Sequence, residues 1–393
     1  MRRHVRFNTT VEAAHYDETT ARWRLTLAGE DGAAETLEAN AVISAAGQLN
    51  RPAIPDIPGL GDFGGPAFHT GAWEAEHELA GKRVALIGTG ASAVQAGPAI
   101  AGERLVIFQR TPRCIVNNPN YYRRVGAGKQ WVLEHLPFYA RWYRFQLFWG
   151  FSDGIHATNE RFRTYMVRHA ENMLGDDTDL LAKVIPPYPP YGKRMLIDNH
   201  WYEMLKRDTV DLVTDPIDHV TADTIVTRDG AVHDVDVILF ATGFQAACML
   251  APMDVVGRAG WTLRDEWGDE NPRAHLGMTM PGFPYFFVLY GPNTNLGHGG
   301  SIMFHAECQV RYVMKCLRHL IEGGHGAMEC RTDVHDNFND RVDAAHEKMV
   351  WTHPGTDNWY KNSKGRVITN SPWRLVDYWA WTKTPELDDY VVT

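Results

Sequence analysis

A glycine-rich loop between a predicted strand and a predicted helix constrains the fold of this chain more than any other feature. Residues 82–87 have the composition of a short buried strand, and residues 94–101 suit a helix. The run Gly-Thr-Gly-Ala-Ser-Ala at residues 88–93 lies between them. In a dinucleotide-binding βαβ unit, the first two glycines allow a tight turn and a close approach to a pyrophosphate, and the last small residue lets helix and strand pack together. The loop therefore predicts an α/β fold with a nucleotide site.

The end of the next predicted strand indicates which nucleotide is bound. Residues 105–109 form a Leu-Val-Ile-Phe-Gln strand, and Arg110 and Thr111 follow it. A carboxylate here, about 20 residues after the first glycine, would bind a free ribose 2′-hydroxyl, whereas an arginine suits a 2′-phosphate. No second glycine loop of this kind occurs in the sequence. We predict that NADP is held by Gly88, Thr89, Gly90, Ser92, Ala93, Arg110 and Thr111.

Composition argues against several other classes of protein. The 393 residues carry a formal net charge of −9, so the basic face of a nucleic-acid-binding protein is not expected. The five cysteines show no Cys-x-x-Cys spacing and no signal-peptide pattern is visible, which together indicate a reduced, cytoplasmic chain. His298 and His305 lack a third ligand at a suitable spacing, so no metal site is predicted.

One aromatic-rich stretch, residues 131–151, deserves comparison with a membrane segment. Glu134, His135, Arg141 and Arg144 interrupt it, so it fails the requirement of about 20 predominantly apolar residues. We predict a buried helix, with a patch lying on a membrane surface or an apolar lid as the alternatives. Membrane contact is not expected.

The order of predicted elements divides the chain into five parts. Strand-like stretches at residues 5–11, 21–28 and 36–43, with a turn at 16–18, lead into a predicted buried strand at 41–47. A long helix is predicted at 301–321. The predicted parts are a β-rich domain at 1–50, a proline-rich linker at 51–79, a nucleotide domain at 80–117 and 181–245, a helical insert capping the substrate at 118–180, and a C-terminal part at 246–393 that returns to the first domain.

The linker carries four residues at a fixed spacing. Phe63, Gly65, His69 and Trp73 form the pattern F-x-G-x-x-x-H-x-x-x-W just upstream of the glycine loop. This resembles the fingerprint of type I Baeyer–Villiger monooxygenases, although Glu74 replaces the Pro or Asp that ends it. Related flavin monooxygenases that oxidise nitrogen or sulfur usually carry another aromatic residue in place of Trp73. The resemblance implies that His69 and Trp73 couple domain movement to catalysis.

Other segments extend the resemblance from residue 1 to about residue 385. They are Phe-Gln-Arg-Thr-Pro at 108–112, Gly-Lys-Arg at 192–194, Phe-Ala-Thr-Gly-Phe at 240–244 and Asn-Trp-Tyr at 358–360. The family opens with a further strand–G-x-G-x-x-G–helix unit for FAD, of about 30 residues, which this sequence does not show. We expect a two-dinucleotide-binding-domain flavoprotein fold with an intact NADP Rossmann domain, a helical insert and an N-terminally truncated FAD domain.

The resemblance implies FAD and NADPH as cofactors and an oxygenation reaction. In the family, NADPH reduces the flavin, dioxygen adds to it, and the flavin peroxide inserts one oxygen atom next to a ketone carbonyl to give an ester or lactone. By resemblance, Arg194 is the fixed positive charge that stabilises the peroxide. Lys193 would pair with Arg110 and Thr111 around the 2′-phosphate, and Trp359 would donate a hydrogen bond to the nucleotide. The implied FAD contacts are Gly47, Gln48, Ile302 and Met303.

Two other functions remain open from the sequence. One is a flavin monooxygenase that oxidises the nitrogen of an amine or the sulfur of a sulfide, against which Trp73 argues. The other is a non-catalytic, truncated NADP-binding module, which the missing FAD loop favours. The expected partners are a small ketone, or a sulfide or amine, and O2. The sequence does not predict an oligomeric state.

Overall fold

The computed structural model describes residues 2–30, 32–74, 76–100, 104–149, 160–297 and 300–393. In chain order its strands are β1 (Thr9–Asp17), β2 (Arg22–Gly29), β3 (Ala34–Ala39), β4 (Val42–Ser44), β5 (Ala67–His69), β6 (Arg83–Ile87), β7 (Arg104–Phe108), β8 (Ile115–Val116), β9 (Leu196–Ile197), β10 (Val210–Val213), β11 (Ile217–Val220), β12 (Thr224–Thr227), β13 (Val232–Asp234), β14 (Val237–Phe240), β15 (Asp254–Val256), β16 (Phe286–Val288), β17 (Met328–Cys330) and β18 (Tyr390–Val392). Its helices are α1 (Ala91–Ala96), α2 (Ala127–His135), α3 (Pro137–Trp149), α4 (Glu160–Leu174), α5 (Thr178–Val184), α6 (Trp201–Leu205), α7 (Leu263–Trp267), α8 (Ile302–Gly323), α9 (Thr332–His346) and α10 (Leu375–Trp381).

A five-stranded parallel sheet carries the glycine loop. Its strand order is β10-β7-β6-β14-β5, and every neighbouring pair is parallel. Residues 84–87 of β6 are all buried, as expected of a strand covered on both faces. The loop follows β6 directly, and α1 leads from it towards β7. The predicted strand–turn–helix arrangement is therefore confirmed.

Apolar layers cover both faces of this sheet. On one face, Leu86 and Ile107 pack with Val94 of α1, Ala170 of α4 and Trp201 of α6. The other face, which includes Ile87 and Phe240, packs on the antiparallel sheet β11-β12-β13 through residues such as Ile225. The sheet is therefore a rigid platform whose carboxyl ends are free to hold loops.

A second region contains the remaining sheets. The sheet β15-β1-β2-β3 packs its buried face on a cluster that includes Trp23, Trp267 and Phe286, and the Trp23 indole donates a hydrogen bond of 2.7 Å to the Pro284 carbonyl. Strands β4 and β16 pair in parallel, and a third cluster joins α8 and α9 to β17 and β18. The chain leaves β16 through residues 290–297, which reach the end of the parallel sheet.

The N-terminal strands differ from the prediction in two respects. Strand β1 begins at Thr9 rather than at residue 5, and it ends at Asp17, so the predicted turn at 16–18 starts two residues later, because residues 13–17 pair with β2. The side chain of Ala14 is fully buried and gives this pairing a core face. The predicted buried strand at 41–47 was also wrong, since β4 covers only Val42–Ser44 and Ile43 is 42% exposed.

The helical insert is confirmed as helical in its described part, which contains α2 to α4 and the first residues of α5. The prediction of a buried aromatic helix at 131–151 was wrong within that part. Trp131, Phe138 and Trp142 are 55%, 83% and 47% exposed, because α2 and α3 lie on the surface of the insert. Phe151 lies outside the described residues. Within the ranges described, the structure contains no helix with the length and apolar character needed to span a bilayer.

Candidate active site

A cavity of about 590 Å³ lies between the carboxyl ends of the parallel strands and two segments from the second region, residues 290–296 and 357–359. This volume is within the range of about 300–1,000 Å³ typical of small-molecule sites. Seven of the residues predicted from the sequence line it: Gly90, Ser92, Arg110, Lys193, Arg194, Ile302 and Trp359. The cavity thus joins residues from five separate stretches of the chain.

The two loop glycines differ in what they require. Gly88 has φ 110°, and a Cβ there would lie 2.5 Å from the Ala241 carbonyl oxygen, so the fold itself demands glycine. A Cβ on Gly90 would find its nearest neighbour, the same Ala241 oxygen, at 3.9 Å. Packing therefore does not explain Gly90, and the space beside its backbone is open to the cavity.

The other predicted loop residues support the loop from behind. The Thr89 hydroxyl donates a hydrogen bond of 3.1 Å to the Thr111 carbonyl and ties the loop to the segment after β7. Ala93 is fully buried in the helix–sheet core. The cavity lining does not include Thr89, Thr111 or Ala93. The structure therefore does not place these three side chains where they would contact a nucleotide bound in the cavity.

Four charged side chains line the cavity next to the glycine loop: Arg110, Arg113, Lys193 and Asp357. The Arg110 Nη2 atom lies 3.5 Å from Asp357 Oδ2, and both side chains are more than four-fifths exposed. Lys193 is only 4% exposed, with Nζ 5.3 Å from the centroid of the Tyr188 ring. Burial and then the neighbouring Arg113 lower the pKa of Lys193 to about 8, while Asp357 opposes this change. The four charges therefore act on one another electrostatically.

Arg113 and Asp357 were missed by sequence reasoning. Both line the cavity, and the buried Nε atom of Arg113 has no hydrogen-bond partner among the described residues. Arg113 stands three residues after Arg110, with a proline between them that ends the strand pattern. Its position in the same segment was the only signal in the sequence. The only signal for Asp357 in the sequence was its position directly before the Asn-Trp-Tyr run at 358–360.

Arg194 lies where the loop of residues 192–194 meets the segment 290–296. Its Nη1 atom donates a hydrogen bond of 3.2 Å to the Leu296 carbonyl, and its side chain lines the cavity. Tyr290 lines the same cavity, and burial raises the pKa of its hydroxyl while the Arg194 charge lowers it. The guanidinium is thus held at one nitrogen by a backbone acceptor.

A set of hydrogen-bonded polar side chains, three of them buried and Tyr290 half-buried, forms what we call the amide wall: Gln48, Tyr290, Asn295 and Asn370. The Tyr290 hydroxyl donates to Asn295 Oδ1 at 2.7 Å, and Asn295 Nδ2 donates to Asn370 Oδ1 at 2.6 Å. Gln48 Nε2 donates to the carbonyls of Tyr290, at 3.1 Å, and Gly291, at 2.7 Å. Tyr290 has φ 53°, a strained value for a non-glycine residue that these bonds help to hold.

Of the four predicted FAD residues, Gln48 belongs to this wall and Gly47 lies next to Tyr290. Gly47 has φ 72°, and a Cβ there would lie 3.5 Å from Tyr290 Cδ1. Gln48 is 2% exposed, and its Oε1 atom has no hydrogen-bond partner among the described residues. Ile302 lines the cavity at the start of α8, but Met303 is 70% exposed and is not among the lining residues. An acceptor oxygen left unpaired in a buried position is what a ligand donor would satisfy.

The C-terminal segment reaches the cavity through Asn358. Its Nδ2 atom donates to the carbonyls of Gly192 and Trp351, each at 2.9 Å, so it links the loop of Lys193 and Arg194 to the segment of Trp359. The Trp351 indole in turn donates to His346 Nδ1 at 3.0 Å. Trp359 stacks at a tilt on Tyr360, with ring centroids 4.8 Å apart. This hydrogen-bond network fixes one end of the cavity.

The four fingerprint residues lie at the edge of the parallel sheet rather than in the cavity. Gly65 is required sterically, since a Cβ would lie 2.3 Å from the Asp236 carbonyl oxygen. His69 ends β5, is 2% exposed, and packs edge-on against Phe244, which lines the cavity. Burial lowers the pKa of His69, so its imidazole is neutral at pH 7.

The two aromatic fingerprint residues have different environments. Phe63 packs against the core shared by the two sheets. Trp73 is 45% exposed and meets the edge of Phe68, with centroids 5.5 Å apart. None of the four residues is among the lining residues of the cavity, and the coupling role that the resemblance implies for His69 and Trp73 stays a prediction.

One of the two histidines considered as metal ligands lies among the described residues. His305 is buried and stacks on Tyr378 at 3.9 Å between centroids, and His298 lies outside the described residues. Among the side chains that the structure describes, Glu74, Glu76 and His77 are close enough together to share a cation. His77 Nε2 lies 3.0 Å from Glu74 Oε2, so these two exposed side chains already form a hydrogen bond with each other.

Comparison with known proteins agrees with this geometry. Residues 1–113 match the model of the flavin-binding monooxygenase-like family. An uncharacterized monooxygenase of Sinorhizobium fredii is 40% identical over 405 residues, covering 98% of this chain and 61% of the relative. A Baeyer–Villiger monooxygenase of Streptomyces coelicolor is 34% identical over 402 residues, covering 100% of this chain and 75% of the relative. The chain thus spans less than two thirds of the first of these relatives.

A solved structure extends the likeness to three dimensions. The crystal structure of OTEMO in complex with FAD and NADP superposes with a TM-score of 0.86 at 25% identity, covering 100% of this chain and 82% of that one. The predicted two-dinucleotide-binding-domain flavoprotein fold is thereby confirmed. Since a Baeyer–Villiger monooxygenase matches the chain at 34% identity over three quarters of its own length, this protein belongs to the type I Baeyer–Villiger monooxygenase family.

Proposed function

We propose that this chain binds NADPH and FAD and inserts one oxygen atom of O2 next to a ketone carbonyl, giving an ester or a lactone. The observation that carries the proposal is the single cavity that joins the open Gly90 turn, the basic group around Lys193, and Arg194. Residues 80–117 and 181–245 would form the NADP-binding domain, with the helical insert at 118–180 capping the substrate. Residues 1–50 and 246–393 would contribute the FAD side.

The residues around the loop fit NADP. Gly90 leaves room at the backbone for a pyrophosphate, and Ser92 faces the same space. Arg110, Arg113 and Lys193 together offer three positive charges, which suits a 2′-phosphate that carries about −1.5 to −2 at pH 7. Trp359 lines the opposite side and can donate its indole N–H.

The amide wall fits the edge of a flavin. Gln48 has a buried acceptor oxygen without a partner, and the positive φ of Gly47 and Tyr290 turns the backbone around the same point. When bound, the reduced flavin activates dioxygen and delivers one oxygen atom, and NADPH supplies the electrons. The protein residues therefore have to orient the substrate and stabilise charge.

Arg194 is suited to stabilising the negative charge that develops on oxygen. A guanidinium stays protonated throughout the working pH range and presents several donors in one plane. The Leu296 carbonyl occupies one of its nitrogens, which leaves other N–H groups directed elsewhere. A charge that is oriented before the reaction costs no reorganisation during it. We therefore propose Arg194 as the catalytic cation.

The test compares product formation by wild type and Arg194→Ala, with FAD, NADPH and a panel of one ketone, one sulfide and one amine. We expect ester or lactone from the ketone, and a loss of about 10²–10³-fold in its rate of formation for Arg194→Ala. Arg318→Ala, which removes an exposed arginine paired with Glu322 outside the cavity, is the matched control and should keep full activity. Oxidation of only the sulfide or amine would replace the proposal by the nitrogen- and sulfur-oxidising function.

A second readout addresses binding alone. Retention of flavin absorbance after removal of unbound FAD, with bleaching by NADPH, supports a working flavoprotein. Binding of NADPH without any retained flavin would mean that the chain is a nucleotide-binding module and that the oxygenation proposal is wrong for it.

A further inference from the structure

We infer that Asp357 is a specificity-determining residue that competes with the 2′-phosphate of the nucleotide for Arg110. The inference rests on the proposed NADP site and adds to it a built-in anion that lowers the affinity for the phosphorylated nucleotide. A nucleotide without the 2′-phosphate would not meet this competition.

The first support is the position of the carboxylate. Asp357 Oδ2 lies 3.5 Å from Arg110 Nη2, the atom group that the sequence assigns to the phosphate. Asp357 also lines the cavity beside Arg113 and Lys193. The carboxylate therefore lies beside Arg110 at the exposed part of the basic group, where a phosphate bound to Arg110 would meet it.

The second support is the balance of charge. Arg110, Arg113 and Lys193 contribute three positive charges and Asp357 one negative charge, a sum of +2. A phosphate monoester of about −2 therefore meets a net charge of +2 with Asp357 in place and of +3 when Asp357 is neutral. Because like charges within a few ångströms repel, Asp357 opposes the phosphate even though the group as a whole attracts it.

The third support is the connection of Asp357 to the closing segment. Its neighbours Asn358 and Trp359 also line the cavity, and the Asn358 side chain is bonded to the Gly192 carbonyl next to Lys193. The backbone of Asp357 is therefore held near the basic group, because the adjacent residue is anchored there. The competition is therefore a property of the folded site.

The experiment measures binding of adenosine 2′,5′-bisphosphate and of AMP by calorimetry to the purified full chain, without added flavin. Asp357→Asn removes the charge and keeps the shape of the side chain. We expect about threefold to tenfold tighter binding of the bisphosphate, no comparable change for AMP, and a smaller difference at about 1 M salt, where the Debye length falls to about 3 Å. Asp333→Asn, which breaks an exposed pair with Arg331 outside the cavity, is the matched control and should change neither affinity.

A second variant keeps the inference falsifiable. In an Arg110→Ala background the contested cation is absent, so Asp357→Asn should gain less than it does in wild type. Unchanged or weaker binding of the bisphosphate by Asp357→Asn would overturn the inference while leaving the NADP site intact. A wild-type chain that does not prefer the bisphosphate over AMP would overturn both the inference and the proposed 2′-phosphate site.

Discussion

The two sides of the cavity are built on different principles. The loop side, formed by Gly90, Ser92 and Arg110, comes from consecutive elements of one βαβ unit, and its charged side chain is exposed. The amide wall comes from three distant stretches of chain, and Asn295 and Asn370 are 4% and 0% exposed. The first side is therefore open to ligands and solvent, whereas the second is a packed interior that faces the cavity only through Tyr290 and Asn295.

This difference determines how each side responds to change. An exposed ion pair such as that of Arg110 with Asp357 contributes little to the free energy of unfolding. We therefore expect substitutions of exposed residues on the loop side to change ligand binding rather than stability. Buried hydrogen-bonded amides cost free energy when a partner is removed, so changes there affect the fold. Gly88 is the exception on the loop side, because the Ala241 carbonyl leaves no room for a side chain there.

The largest expected effect tests that exception. Gly88→Ala introduces a Cβ 2.5 Å from the Ala241 oxygen at a φ of 110°, and should lower the free energy of unfolding by about 3 kcal/mol. Urea unfolding followed by circular dichroism measures it. The matched control is Gly90→Ala, whose Cβ meets nothing closer than 3.9 Å. Gly90→Ala should keep wild-type stability and bind NADP more weakly; equal destabilisation by both substitutions would contradict the assignment of their roles.

The next effect concerns the histidine behind the amide wall. His346 accepts the Trp351 N–H at Nδ1, and burial, aided by Arg366 and opposed by Asp343, lowers its pKa to about 3. Because the unfolded chain then binds more protons than the native chain between pH 6.5 and 3, stability falls as pH falls through this window. Uptake of one such proton by the unfolded chain lowers the free energy of unfolding by about 2 kcal/mol between pH 6.5 and pH 5.

The measurement is urea unfolding at both pH values for wild type and His346→Gln. Glutamine keeps an acceptor for Trp351 but does not titrate, so the variant should lose about this much of the pH dependence. Burial also lowers the pKa of His275, to about 4, which contributes equally in both proteins. An identical pH slope in the two proteins would mean that His346 is not the titrating group.

Much of the loop side could be predicted from the sequence because the residues that form it lie close together in the chain. The glycine spacing, the small Ala93 and the basic residue after β7 all follow from one βαβ unit. The long helix α8, predicted at residues 301–321 and observed at Ile302–Gly323, is also local, since its Ser301 cap and apolar periodicity lie within it. The roles of these residues in binding remain predictions.

The amide wall could not be predicted because its partners are far apart in sequence. Asn295 and Asn370 are 75 residues apart, and Gln48 reaches a carbonyl 242 residues away. No spacing rule connects such residues, and an asparagine in a loop is more often a turn residue than part of a buried network. The predicted burial of the aromatic residues of α2 and α3 was wrong for a different reason. Composition gives the burial of a residue type on average, but the packing partners decide it for each side chain.

A smaller effect tests whether the amide wall acts as one unit. Asn295→Ala leaves the Tyr290 hydroxyl and Asn370 Oδ1 without their partner and should cost about 1–2 kcal/mol in unfolding free energy. Tyr290→Phe removes the hydroxyl alone. If the wall is a network, the double variant should be less destabilised than the sum of the two, by at least about 0.5 kcal/mol. Strict additivity in urea unfolding would show that the bonds are independent.

The smallest effect concerns the buried cation on the loop side. Lys193 has a pKa lowered to about 8 by burial and by Arg113, so it is charged below pH 8 and progressively neutral above it. Binding of adenosine 2′,5′-bisphosphate should therefore weaken about threefold to tenfold as pH rises from about 7 to 9.5, because one of three cations loses its proton. Lys193→Arg keeps its charge across this range and should bind with little pH dependence. If wild type and variant followed the same pH curve, Lys193 would be a packing residue against Tyr188, and phosphate binding would depend on Arg110 and Arg113 alone.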